Sequence, residues 1–334
     1  NMVSQLSSTM ATREIMLQPK NLETSISAKS LVGHSKHEKM NSLGRESMKI
    51  NTEKLMHAVF FITALVSILA VALICVFLFI NGIPAMREIG FLDFLLGRLW
   101  APMNSPQSFG IFSMIVGSIY VTAGAIIIGV PIGVLTAIFL AKYCPPHFYR
   151  IIKPAIQLLA GIPSVVYGFF GLMVIVPFVR ANFDVSGYSI LSASILLGIM
   201  ILPTIIGVSE SAIRAVPGEY YEGAVALGAT HERAVFATVI PAAISGILAS
   251  VILGVGRAIG ETMAVVMVAG NQPRVPSSIL QGVRTMTTNV VLEMGYAYGL
   301  HRESLIATAV ILFVFILIIN LLFSVLKRRM NYGN

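Results

Sequence analysis

Charge is what this chain has least of. Asp, Glu, Lys and Arg make up 11% of its 334 residues, and 56% are hydrophobic. Soluble globular domains carry about 25% charged residues, so a soluble globular class is excluded and a membrane protein is indicated. Cysteine is also scarce. Cys75 lies in an apolar run and Cys144 in a short basic loop, which excludes a disulfide framework. There is no CxxC, no HExxH and no His/Cys cluster, so no metal site is expected. No Walker A loop is present, so any ATP chemistry belongs to another chain. No apolar stretch near residue 1 has the form of a cleavable signal peptide.

What is present is long apolar runs. Six are expected to cross a bilayer: about Ala58–Ile80, Ile111–Leu140, Ile151–Val179, Ile190–Val208, Pro241–Ala269 and Leu305–Leu326. Each is long enough for a hydrocarbon core of ~30 Å. Pro131 inside the second run suggests one kinked or tilted helix, or a span with a re-entrant piece. Trp100-Ala-Pro102 and Phe109-Gly110 lie between the first two runs and suit an interfacial segment. Residues 1–50 are polar and aperiodic, and are expected to form a mostly disordered tail ahead of a 51–330 membrane domain.

The net charge of +8 speaks to orientation rather than to nucleic acid. With the N-terminus inside, sixteen of the 23 Lys and Arg fall on the inner side and six outside, the last being Arg257 within a span. Lys327-Arg-Arg329 anchors the inner end of the sixth run. Both termini are therefore expected in the cytoplasm. Arg180, Arg274, Arg284 and Arg302 give the outer face a basic character, mostly as solvated loop charges.

The run Leu253–Val268 is the unusual one, because it carries Arg257 and Glu261. A charge at the centre of a membrane helix costs roughly 2.5–3.5 kcal/mol on insertion scales. At i, i+4 on a continuous helix the two side chains share a face and can touch. Gly254, Gly256 and Gly260 beside them let a helix or a solute approach the backbone. The functional reading is a polar spot for an anion inside a bundle; the bland one is a self-neutralising pair. Thr262 adds a hydroxyl, which could serve a solute or bond its own backbone. Ser164 and Tyr167, next to Pro163, could line a cavity at a broken helix or pack at a plain kink.

Between runs four and five lies an amphipathic stretch at about 218–230. Pro217 can open a helix, Gly228 can end it, and Thr230 can cap a second one starting near His231. It suits a surface connector or a docking knob for a soluble partner.

These residues carry a resemblance. Glu222-Gly-Ala224-Val-Ala-Leu-Gly228, followed by Thr238-Val-Ile240-Pro241, is similar to the EAA signature of ABC importer permeases, with its spacing kept. Gly223, Thr238 and Ile240 depart mildly from it. Gly161-Ile-Pro-Ser-Val-Val-Tyr-Gly168, Gly256-Arg-Ala-Ile-Gly-Glu-Thr-Met-Ala264 and Gly270-Asn271 resemble the permease subunits of the phosphate (Pst) importer, PstC more than PstA. The resemblance covers roughly residues 54–330.

It implies an all-α, six-span, type I (MetI-like) permease that is not itself an enzyme. The chain would pair with a PstA-type permease above two PstB-type ATPases, which use ATP and Mg2+, and would bind no cofactor itself. An extracytoplasmic binding protein would deliver inorganic phosphate. Glu222, Gly223, Ala224 and Gly228 would form the coupling helix, with Pro241 closing the signature. Arg257, Glu261 and Thr262 would line the route, with Ser164 and Tyr167 as further lining. Against this stand a secondary anion transporter, a PstA-type or other oxyanion permease, and a membrane sensor. A secondary transporter calls for inverted repeats, and no clear repeat is seen.

Overall fold

The computed structural model describes residues 23–331, with side chains described from 53 to 325. The chain divides into two units, Asn1–Leu73 and Ile74–Asn334. Among the described residues, the first unit holds only helix α1, which runs Glu23–Ile89 and continues into the second. Residues 23–50, expected to be disordered, are therefore helical here; residues 1–22 of that expectation lie outside the described residues. The physical reason is cooperativity. A helix that already exists in the membrane extends without paying for a new nucleus.

The second unit holds everything that positions the site. After α2 (Phe91–Leu96), a small antiparallel hairpin pairs β1 (Trp100–Ala101) with β2 (Ser108–Phe109). Then come α3 (Phe112–Ile138), α4 (Pro146–Gly161), α5 (Ser164–Phe170), α6 (Val176–Phe183) and α7 (Ile190–Arg214). Next are α8 (Gly218–Ala226), α9 (His231–Ala234), α10 (Ile240–Gly260), α11 (Met263–Val268), α12 (Met286–Glu293) and α13 (Gly299–Asn331). Three π turns, Phe139–Tyr143, Gly171–Ile175 and Val235–Val239, join α3 to its loop, α5 to α6, and α9 to α10.

Among the described residues, six helical stretches are long and apolar enough to cross a membrane: Glu53–Ile89, Phe112–Tyr143, Ser164–Phe183, Ile190–Arg214, His231–Gly260 and Gly299–Val325. The number expected from the sequence stands, but two boundaries move. The third expected run divides, because its first part, α4, is an amphipathic surface helix with no buried residue. Ile162 precedes Pro163, which disfavours helical backbone there, and its ψ is 128°. The fifth run divides after Gly260. Pro131, in contrast, leaves α3 continuous.

Helix α7 is the centre of the unit. Leu196, Leu197, Met200, Ile201 and Ile205 are fully or almost fully buried among α3, α5, α10 and α11. Close approach of α3 is set by Gly129 and Gly133, where an added Cβ would fall 2.7 Å from Ile201 and 2.8 Å from Ile205. Small residues at four-residue spacing are how membrane helices bring their backbones together. A second cluster joins α2, the hairpin and the start of α13 around Phe94, Trp100 and Met286.

Candidate functional site

The site grows out of two broken helices that pack on each other, α5 after the break at Ile162–Pro163 and α11 after the break at Glu261–Thr262. Gly168 permits the contact. A Cβ there would sit 3.0 Å from the Ala264 backbone and 2.6 Å from the Met267 sulfur.

Arg257 is half-buried in the last turn of α10. Among the described residues its one hydrogen bond is a long one, Nη1 donating to Thr204 Oγ1 of α7 at 3.5 Å. The other guanidinium N–H groups make no hydrogen bond among the described residues. Around it the backbone is bare. At Gly207, Gly256 and Gly260 a Cβ would meet nothing within 4 Å.

Glu261 does not share a helix face with Arg257, because α10 ends at Gly260 and the Glu261 backbone is extended (ψ 132°). Among the described residues no ion pair joins them. The expected touching pair is thus replaced by two separately held charges. The reason is local: Glu261 Oε1 accepts from the Ala264 N–H at 3.3 Å, capping α11, and a carboxylate at a helix N-terminus is favoured there. The Glu261 carbonyl, freed by the break, accepts from Thr287 Oγ1 at 3.2 Å. Thr262 Oγ1 donates to the Gly260 carbonyl at 3.3 Å.

Ser164 is half-buried at the first position of α5. Tyr167 is buried, 5% exposed, and its hydroxyl donates to the Leu159 carbonyl at 2.8 Å. It braces the end of α4 rather than lining open space.

The stretch expected to dock a partner forms helix α8, opened by Pro217 and ended by Gly228 at φ 85°. Thr230 caps α9 through the Arg233 N–H. Glu222, Gly223, Val225 and Gly228 are exposed, Ala224 is half-buried, and Leu227 is 92% exposed. Tyr221 turns inward, its hydroxyl 2.8 Å from His231 Nδ1. Pro241 sits in the first turn of α10.

Two buried carboxylates were not anticipated. Glu210, 1% exposed on α7, accepts from Tyr149 (2.7 Å) and Lys153 on α4 and from Arg214 (2.9 Å). The bond to that carboxylate raises the Tyr149 phenol above its usual range, with burial adding to it. Arg214 also donates to the Leu140 carbonyl at 2.8 Å. Glu293, 6% exposed at the end of α12, accepts from Trp100 Nε1 at 2.9 Å, pairs with Arg284, and lies 2.8 Å from His301 Nε2. Arg284, expected as a solvated loop charge, is thus a half-buried structural cation, which also donates to the Asn271 carbonyl at 3.0 Å. Tyr296 nearby is held above the usual phenol range by burial and by Glu293. The sequence clue for both carboxylates was slight: an acidic residue with aromatic and basic residues scattered far along the chain.

The described residues contain no group of three or more His, Cys, Asp or Glu placed to hold a metal. The arrangement sets a guanidinium before a helix break and a carboxylate at it, each held by a neighbour other than its charged partner.

Comparison with known proteins places this geometry in context. Residues 129–332 match the family described as "Binding-protein-dependent transport system inner membrane component". The chain is 39% identical over 271 residues to the "Probable ABC transporter permease protein YqgH" of Bacillus subtilis, covering 78% of this chain and 87% of that one. It is 34% identical over 284 residues to the "Phosphate transport system permease protein PstC" of Mesorhizobium japonicum, covering 79% and 86%. In fold it is similar to the MetNI methionine ABC transporter in inward-facing conformations, at 18% identity and TM-score 0.52 over 66% of this chain and 96% of that one.

Proposed function

Because this chain belongs to the binding-protein-dependent inner membrane components, the multi-pass permease subunits of ABC importers, we propose that it forms half of the route for inorganic phosphate in such an importer. The observation that carries the reading is Arg257 and Glu261. They are two half-buried charges, Arg257 in the last turn of a membrane-spanning segment and Glu261 just past its end, bordered by bare glycine backbone. Such residues rarely face lipid, so this face is one wall of a polar path and a second permease supplies the other.

The chemistry fits an anion that still carries a proton. The Arg257 fork offers fixed donors to two phosphate oxygens. The Glu261 carboxylate, acting as acceptor for the Ala264 N–H, can also accept from the P–OH of phosphate. Sulfate lacks that proton near neutral pH and is repelled by the same group. Thr262 spends its hydroxyl on the Gly260 carbonyl and contributes mainly to the shape of the break.

Helix α8 is the docking knob, with Leu227 and Val225 seated in a groove of one ATPase subunit. We assign the partners as a PstA-type permease, two PstB-type ATPases that use ATP and Mg2+, and a phosphate-binding protein. This places α8 and both termini on the cytoplasmic side.

The test is ATP-dependent uptake of phosphate and of sulfate in membrane vesicles carrying all the subunits. Wild type takes up phosphate and excludes sulfate. Arg257→Gln and Glu261→Gln each lower phosphate uptake by about 10-fold or more, the effect of losing one charged partner. Unchanged rates in both variants at equal membrane levels sink the reading.

A further inference from the structure

We infer that Thr287, on α12, is a positioning residue for Glu261 and so sets the affinity of the route without touching the solute. The inference rests on the pathway reading of Glu261. Thr287 is 9% exposed, and its hydroxyl donates to the Glu261 carbonyl at 3.2 Å, across 26 residues of sequence.

The threonines around it form a hydrogen-bonded relay. Thr288 Oγ1 donates to the Thr285 carbonyl (2.9 Å) and accepts from the Thr285 N–H (2.9 Å). Thr285 Oγ1 accepts from the Thr288 N–H at 3.3 Å and lies between two hydroxyls, 2.9 Å from Thr287 Oγ1 and 3.1 Å from Thr288 Oγ1. Thr287 is the member of this cluster that reaches the break, and the carbonyl it meets at Glu261 can only accept.

The relay stands on a rigid base. The capping box of Thr285 and Thr288 fixes one end of α12. At the other end Glu293 is held by Trp100 of the hairpin, by Arg284 and by His301 of α13. Arg284 in turn holds the Asn271 carbonyl, just past the end of α11. Helix α12 therefore grips the broken segment at both ends, Glu261 before α11 and Asn271 after it. A small displacement of a charged group in a binding site costs affinity steeply, so a fixed carbonyl at residue 261 fixes where the carboxylate stands.

The experiment is phosphate-dependent uptake in vesicles holding the full transporter, with KM and maximal rate measured separately. Thr287→Val keeps the shape and deletes the donor. Expected is a rise in KM of about 2- to 10-fold, the factor of one net hydrogen bond, with the maximal rate at equal protein level kept. Thr287→Ser restores the wild-type KM. In a Glu261→Gln background the valine change adds nothing further, since the group it positions is already disabled. Should the valine protein fail to reach the membrane, Thr287→Ala carries the same comparison with less steric risk.

A wild-type KM in Thr287→Val beside a defective Glu261→Gln overturns the positioning role and leaves the pathway reading intact. An equal drop in maximal rate, whether or not Glu261 is present, also overturns it and makes Thr287 a general packing residue. Wild-type behaviour of Glu261→Gln itself overturns the pathway reading, and this inference with it.

Discussion

Replacing Glu210 with leucine tests whether the buried charge cluster holds α4 against α7. The side chain is 2% exposed and accepts from Lys153, Arg214 and Tyr149. Its removal strands two cations, but unequally. The Lys153 side chain is 24% exposed and cannot fully rehydrate in place; that of Arg214 is 45% exposed and can. Arg214 also keeps the Leu140 carbonyl and lies 4.6 Å from the centroid of the Tyr149 ring. The loss is therefore dominated by one poorly solvated lysine, about 3 kcal/mol, the low end for breaking a buried pair because Lys153 keeps some contact with water. At ~2–4 °C per kcal/mol, the melting midpoint of the detergent-solubilised protein falls by at least ~6 °C. The informative arm is the double variant Glu210→Leu with Lys153→Met. It removes both buried charges, and most of the lost stability returns, because apolar side chains of similar volume replace a buried pair at little cost. An unchanged midpoint in Glu210→Leu, or a double variant worse than either single, refutes the reasoning.

Two further outcomes follow from packing. Gly168→Leu places a Cβ 3.0 Å from the Ala264 backbone, which cannot move aside as the Met267 side chain can. It should destabilise by about 1–3 kcal/mol in thermal unfolding, while Gly161→Ala, with nothing within 4 Å, stays near wild type. Leu227→Glu alters a side chain that is 92% exposed, so the melting midpoint stays put. Co-purification of the ATPase subunit should nonetheless be lost, and its retention would return α8 to the role of a surface connector.

The membrane class, the number of spans and the helix α8 were legible because each has a strong local signal. Long apolar runs count the spans, and Pro217, Gly228 and Thr230 bracket α8 and α9 in the order that capping chemistry demands. Arg257 and Glu261 stood out because charge is so rare in apolar runs. Their relation was misjudged for a reason of scale. Spacing predicts contact only on a continuous helix, and nothing in the single sequence marks Glu261 as the residue where α10 stops. Thr204 and Thr287 were invisible for a related reason. A threonine hydroxyl in or beside a helix usually bonds local backbone, and only tertiary structure brings Thr287 to residue 261. Glu210 and Glu293 passed unnoticed because their partners lie as far as 61 and 193 residues away.

The break between α10 and α11 is what separates the two charges. Ending a helix inside a membrane frees carbonyls that lipid cannot satisfy, and each unsatisfied group is costly. This break answers with a hydroxyl from elsewhere, Thr287 for the carbonyl of Glu261, and at the end of the surface helix α4 Tyr167 does the same for Leu159. The side chains at the α10–α11 break are partly spent on backbone as well: Glu261 caps α11 and Thr262 donates to the Gly260 carbonyl. Arg257 leans on Thr204 of α7, while Glu261 caps α11 and is tied through its own carbonyl to Thr287 of α12. On the pathway reading, an anion between them would meet two charges that are carried by separate elements and are not already spent on each other. A touching pair on one continuous helix would neutralise itself and leave neither charge for a solute.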